Sequence, residues 1–227
     1  MIHLVLAAGI ALASRPARGE SLYELRCSSC HGLALQGGPD APPLIGTSGA
    51  DVDFMLQTGR MPAAAPGQQY ERAKPRLSQS DIRAIVNYVT ERGHGNPQLP
   101  RLASGNPARG RAIFAENCEQ CHGVSAHGAS VGYANIAPSL MHTPPEQIGE
   151  AVRSGPGEMP RFGPDVMTET NLDDLVSYVG YLQHEKRSYN PGGLQLANVG
   201  PVAEGFVAWI FGVGALVIFV RSIGSKD

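Results

Sequence analysis

The chain has 227 residues, 20 acidic against 18 basic side chains, and a formal net charge of −2. It has neither the basic stripe nor the aromatic interleaving of a nucleic-acid binder, so no nucleic-acid partner is expected. Its four cysteines all fall in two copies of one pattern, so none remains for a disulfide or a second metal elsewhere.

In chain order, Ile2 to Ala13 is apolar and Ala11-x-Ala13 resembles a signal-peptidase site, although only His3 precedes the apolar stretch. Residues 1–19 therefore read as a signal or anchor segment, either incomplete or retained as a first anchor. Gly19-x-x-x-Tyr23 then leads into Cys27-Ser28-Ser29-Cys30-His31, followed by Pro42-x-Leu44 and Gly59-Arg60-Met61-Pro62. Ile82, Ile85, Val86 and Val89 follow i, i+3, i+4, i+7, the spacing of one buried helical face. Ser78 and Asp81 are suited to cap that helix.

Residues 94–105 are rich in Gly and Pro and read as a linker. The whole pattern then recurs. Gly110-x-x-x-Phe114 precedes Cys118-Glu119-Gln120-Cys121-His122 at the same offset, followed by Pro138-x-Leu140 and Gly157-Glu158-Met159-Pro160. Leu172, Leu175, Val176 and Val179 form the second closing helix, with Thr170 and Asp173 as its expected cap and Tyr178 matching Tyr88. Residues 20–93 and 106–186 are thus two copies of one unit. The first holds eight acidic and seven basic side chains, and the second holds ten and five.

A second linker spans 187–200. After it, residues 201–223 carry an apolar run from Gly205 to Val220, about the length that crosses a bilayer. Neither small unit could bury a helix apolar on all sides. Arg221 and Lys226 follow the run, which predicts a cytoplasmic C-terminus and the two units outside.

C-x-x-C-H is the attachment pattern of a c-type haem: two thiols bond to the porphyrin and the adjacent His ligates iron. Zinc sites rarely repeat a His directly after the second Cys in both pairs. A redox dithiol would want a βαβ context, and a disulfide inside C-x-x-C closes a small, strained loop. Two covalently bound haems c are therefore expected, through Cys27 and Cys30 and through Cys118 and Cys121, with His31 and His122 on the irons. Covalent haem attachment in turn requires export. Met61 and Met159 lie at matched places between motif and closing helix and are the expected sixth ligands, since a thioether suits haem iron. The competing donors are Met55, Met141, His127 and His142. His94 and His184 are expected at the surface.

The units resemble class I cytochrome c domains, and the resemblance covers nearly all of each half. It implies an all-α fold: two tandem cytochrome c domains and a C-terminal transmembrane helix. It also implies that Gly19, Tyr23 and Tyr88, and likewise Gly110, Phe114 and Tyr178, form the crossing of first and last helices. Pro42 and Pro138 match the family proline whose carbonyl orients the ligand His. Each unit is so small that haem supplies much of its interior, so the apo-chain is expected to be largely unfolded.

Two such units followed by one C-terminal span, with Gly37-Gly38-Pro39-Asp40, Pro43-Leu44-Ile45-Gly46, Thr58-Gly59-Arg60-Met61-Pro62 and the Gly200–Trp209 junction, are similar to the dihaem cytochrome c subunit of the cytochrome bcc complex known from actinobacteria. That resemblance implies electron transfer from a Rieske iron–sulfur protein through both haems to a haem–copper oxidase, beside a cytochrome b subunit and in a lipid bilayer. The chain would be the electron-transfer subunit of a quinol–cytochrome-c reductase, with no substrate chemistry of its own. The alternatives are a tethered dihaem subunit of another oxidase or dehydrogenase, and a dihaem peroxidase-like enzyme.

Overall fold

The computed structural model describes residues 17–65, 71–132, 135–184 and 201–224. The N-terminal apolar stretch with Ala11-x-Ala13, the linker at 187–200 and Lys226 lie outside the described residues.

The first unit consists of α1 (Arg18–Arg26), the single turn α2 (Ser28–His31), α3 (Gly49–Gln57) and α4 (Gln79–Gly93). The second has α5 (Pro107–Asn117), the turn α6 (Glu119–His122), α7 (Pro145–Ser154) and α8 (Glu169–His184). It also holds a small antiparallel ribbon, β1 (Ala129–Gly132) and β2 (Asn135–Ala137), which pairs Ala129 with Ala137 and Ser130 with Ile136. The periodicity of the sequence does not announce this ribbon. Its strands, at 129–132 and 135–137, stand where the first unit has only a single Gly38–Ala41 bridge.

Local chemistry explains where the helices begin. Ser48 and Asp51 form a reciprocal capping box on α3, and Ser78 Oγ accepts from the Asp81 N–H at 3.2 Å at the start of α4. Asn106 caps α5 by accepting from the Ala108 and Arg109 N–H groups, with Pro107 at the first helical position. The expected cap of α8 is corrected. Thr170 lies inside the helix, and the hydroxyl of Thr168 accepts from the Asn171 N–H instead. Asp173 turns outward to accept the Ala103 N–H at 2.9 Å.

All eight apolar positions marked in the sequence on the two closing helices are buried. Around α4 they join Tyr23, Leu35 and Leu56, and around α8 they join Phe114, Ala126, Ile148, Val152 and Met167. Each buried Ile, Leu or Val contributes about 1.5–3 kcal/mol at most relative to an exposed one. α1 crosses α4 at Gly19, where a side chain would meet the Ala84 carbonyl and Tyr88 Cβ. Tyr23 and Tyr88 lie 5.3 Å apart at that crossing. α5 crosses α8 in the same way at Gly110, with Phe114 and Tyr178 5.5 Å apart.

The two units pack on each other through α3 and α7. Arg161 reaches Asp51 at 3.0 Å and Arg72 reaches Gln147 at 2.6 Å across this seam. The linker is strapped down at both ends. The Gly49 N–H bonds the Asn96 carbonyl, and the Gly105 N–H bonds Ser177 Oγ.

The chain from His184 onward forms a separate body. Within it α9 (Pro201–Gly224) has, over residues 205–224, the length and apolar composition to cross a membrane, and its side chains there are almost all exposed.

Candidate functional site

Each Cys-x-x-Cys-His segment is built in the same way. α1 ends because Cys27 leaves helical geometry at φ −125° and ψ −33°, and Cys118 ends α5 at −124° and −34°. One helical turn then carries the second Cys and the His, closed by the His31 N–H on the Cys27 carbonyl and the His122 N–H on the Cys118 carbonyl, both at 2.9 Å. Gly32 and Gly123 end these turns at φ 76° and 74°, a left-handed region that glycine enters without steric cost. Leu35 and Ala126 follow at φ 61° and 57°, and both are wholly buried.

Both imidazoles are buried and oriented. His31 Nδ1 lies 2.9 Å from the Pro42 carbonyl oxygen, and His122 Nδ1 lies 3.0 Å from that of Pro138. A carbonyl can only accept, so each Nδ1 carries the proton and each Nε2 lone pair is free for a metal. The Gly37 and Gly128 N–H groups hold the carbonyls of the same two histidines at 2.8 and 2.9 Å.

The first cysteine of each pair is half-buried and the second is exposed. Burial pushes the Cys27 and Cys118 thiols up to about 11, so both remain thiols at neutral pH. A redox dithiol needs the opposite shift. Among the described residues no cluster of three or more His, Cys, Asp or Glu side chains is placed to hold a metal ion.

Met61 packs against the same apolar cluster as Cys27, and Met159 against the same cluster as Cys118. The preceding glycines, Gly59 and Gly157, have φ of 66° and 63°. The loops are pinned by the Met61 N–H on the Met55 carbonyl (3.0 Å) and the Met159 N–H on the Pro156 carbonyl (3.2 Å). Among the competing donors, Met141 packs at the edge of the second core, while His127 and His142 are exposed. His94 and His184 are exposed as well.

One residue of this neighbourhood has no role in the sequence argument. Arg60, directly before Met61, lies with its guanidinium 5.0 Å from the Phe54 ring centroid, and its Nη1 is buried without a hydrogen-bond partner. Burial, and then the like charge of Arg72, depress its pKa. A guanidinium in that position is suited to an anion, and the carboxylate of a haem propionate is an anion of the right kind. Thiols, imidazole, thioether and this cation together form a donor set that fits haem. The second unit has the exposed Glu158 at the matching place, so the two sites differ in charge.

Comparison with known proteins adds to this geometry. A family model described as cytochrome c matches residues 16–92, and one described as cytochrome c oxidase, cbb3-type, subunit III matches residues 105–179. The chain is 34% identical over 219 residues to the cytochrome bc1 complex cytochrome c subunit of Mycobacterium leprae, covering 92% of this chain and 74% of that protein. It is 31% identical to the subunit of the same name from Corynebacterium diphtheriae, covering 92% and 80%. A cbb3-type cytochrome c oxidase subunit FixP from Bradyrhizobium is 29% identical, over 57% of this chain and 47% of its own length.

Proposed function

The chain belongs to the family of cytochrome bc1 complex cytochrome c subunits, and from that membership we propose that it is a membrane-anchored dihaem electron carrier of a respiratory complex. One haem c is bonded to Cys27 and Cys30 and a second to Cys118 and Cys121. His31 and Met61 would ligate the first iron, and His122 and Met159 the second. The observation that carries this reading is the repeated imidazole, whose Nδ1 is tied to a proline carbonyl in both units.

When bound, each haem supplies a one-electron iron couple. The protein's part is to hold the ligands. The proline carbonyls fix the histidine tautomer and ring plane, and the glycine-led loops present the methionines. Arg60 offers a positive charge to a propionate. With an imidazole and a thioether both holding each iron, the haems would supply outer-sphere electron transfer and no substrate chemistry. Variants M61H and M159H test the ligation: each should remove half of the weak near-infrared sulfur-to-iron absorption of the oxidised protein. An unchanged band in either variant would refute that methionine.

Electrons enter from a Rieske iron–sulfur protein beside a cytochrome b subunit and leave to a haem–copper oxidase. The chain acts as the electron-transfer subunit of a quinol–cytochrome-c reductase. α9 spans the bilayer, with Arg221 and Lys226 on the cytoplasmic side and the haem units outside. Detergent solubilisation and identification of co-purifying subunits test this assembly. Recovery with cytochrome b, a Rieske protein and oxidase subunits is the expected result, and recovery with a dehydrogenase alone would overturn it. The partial likeness to a cbb3-type oxidase subunit favours a second reading, membership of another oxidase, which the same experiment would reveal. A dihaem peroxidase would need an open iron position, and its mark would be peroxide turnover by the purified protein.

A further inference from the structure

The seam between α3 and α7 buries two carboxyl groups, one from each haem-binding unit. Asp53 on α3 is 5% exposed and Glu150 on α7 is 4% exposed, the two helices pack on each other, and each carboxyl lies in the other's field. Two ionised carboxylates buried there would only repel, because neither has a proton to donate. Glu150 Oε2 is buried, and no N–H or hydroxyl of the described residues reaches it. Ser154 Oγ, one turn further along α7, is also buried and unpartnered.

The surroundings decide how many protons the pair holds. Gln57 on α3 and the Arg83 cation on α4 both favour the charged form of Asp53. On α7, Glu146 adds a second negative field at Glu150. At the rim, Asp51 is paired with Arg161, and Arg72 with Gln147. Among the described residues no cation forms an ion pair with Glu150. Like charges buried side by side cannot both ionise, so such a pair retains one proton.

We propose that Asp53 and Glu150 form a proton-binding site in the α3–α7 seam, a single proton shared by two carboxyls latching the two units together. The proton makes the Glu150 carboxyl a donor, for which ionised Asp53 is the acceptor, and Arg83 favours the charge on Asp53. Loss of the proton sets two carboxylates against each other across the seam. The proposal needs only the packing of α3 on α7 and is independent of which redox partners the chain serves.

The pH dependence has a definite sign. Burial, and then the Asp53 charge, raise Glu150 from its ordinary 4.5 to about 9 in the folded protein. Between those values the folded chain holds a proton that the unfolded chain has released. The contribution is complete below about pH 4.5 and is lost as pH rises toward 9, by about tenfold in the folding constant per pH unit.

Two measurements on the detergent-solubilised, haem-loaded full chain test the proposal. Infrared spectroscopy should find a protonated-carboxyl C=O band at pH 7 that disappears above pH 9 and is missing from E150Q and from D53N. The thermal midpoint of the wild type should fall between pH 5 and pH 9, and in E150Q that slope should flatten, because an amide donates the same bond at every pH. A band absent from the wild type, a band that persists in both variants, or equal slopes in wild type and E150Q would overturn it. A midpoint that drops on adding a chelator, with no protonated-carboxyl band, would overturn it in favour of a bound cation.

Discussion

A chain carrying Cys118→Ser and Cys121→Ser is expected to retain one tetrapyrrole by mass and to lose the fold of its second unit. The core of that unit is small: nine buried residues around Phe114 and α8, formed within a unit of the size at which protein burial alone is marginal. A group bound only by the folded state adds its binding free energy to folding. With a typical margin of about 5–15 kcal/mol for a whole domain, losing a buried tetrapyrrole is enough to tip the balance. The helical circular dichroism of α5, α7 and α8 should disappear, and protease should cut within residues 106–184 while sparing the first unit. The haem content by pyridine haemochromogen should fall by half. A variant with full helicity and an intact second unit would show that the protein core suffices without the cofactor.

Gly110→Val should be nearly as damaging through packing alone. A Cβ at this position would meet the Asp174 carbonyl oxygen, its carbon at 2.6 Å and Tyr178 Cβ at 2.8 Å. Two of these are backbone atoms of α8 and cannot yield, so α5 must lift away from α8. Overpacking of this kind costs about 1–3 kcal/mol, and the broken crossing adds to it. The same displacement strains the Arg109–Asp174 pair, where the Arg109 guanidinium and the Asn106 N–H hold the Asp174 carboxyl below the usual carboxylate range. The urea midpoint of the holoprotein should fall by the equivalent of about 3 kcal/mol or more. Gly180→Ala, on α8, is the control, since nothing lies within 4 Å of its Cβ position. Removing a mid-helix glycine there should raise the midpoint by about 0.5–1 kcal/mol. Equal loss in both variants would exclude the crossing as the cause.

These two expectations differ in where their grounds lie. The double pattern of Cys and His, the matched glycines before Met61 and Met159, and the apolar faces of α4 and α8 were all legible in the chain. Each is a local or periodic feature: a C-x-x-C-H turn closes its own backbone bond, and a helix of period 3.6 buries whichever stripe is apolar. The Thr170 cap was misplaced by two residues because Thr168 and Thr170 are equally good acceptors. Only the path of the entering chain decides between them.

Other features had no signal to read. Leu35 and Ala126 are buried at positive φ, where the sequence would lead one to expect glycine, and only the packing around them holds that conformation. The ribbon at 129–137 is an insertion whose pairing depends on where its two ends are held. Arg60 is one more arginine until its guanidinium is found against Phe54 with a buried, unpaired nitrogen. Asp53 and Glu150 lie 97 positions apart in different repeats, each unremarkable on an amphipathic helix.

Residue identity and spacing thus sufficed for the duplication, the paired C-x-x-C-H turns and the apolar tail, because those follow from interactions within a few turns of chain. How the two units meet, and which charges become buried where they do, was decided only in the tertiary structure. Desolvation and Coulomb interactions depend on distances in space that the order of residues does not encode.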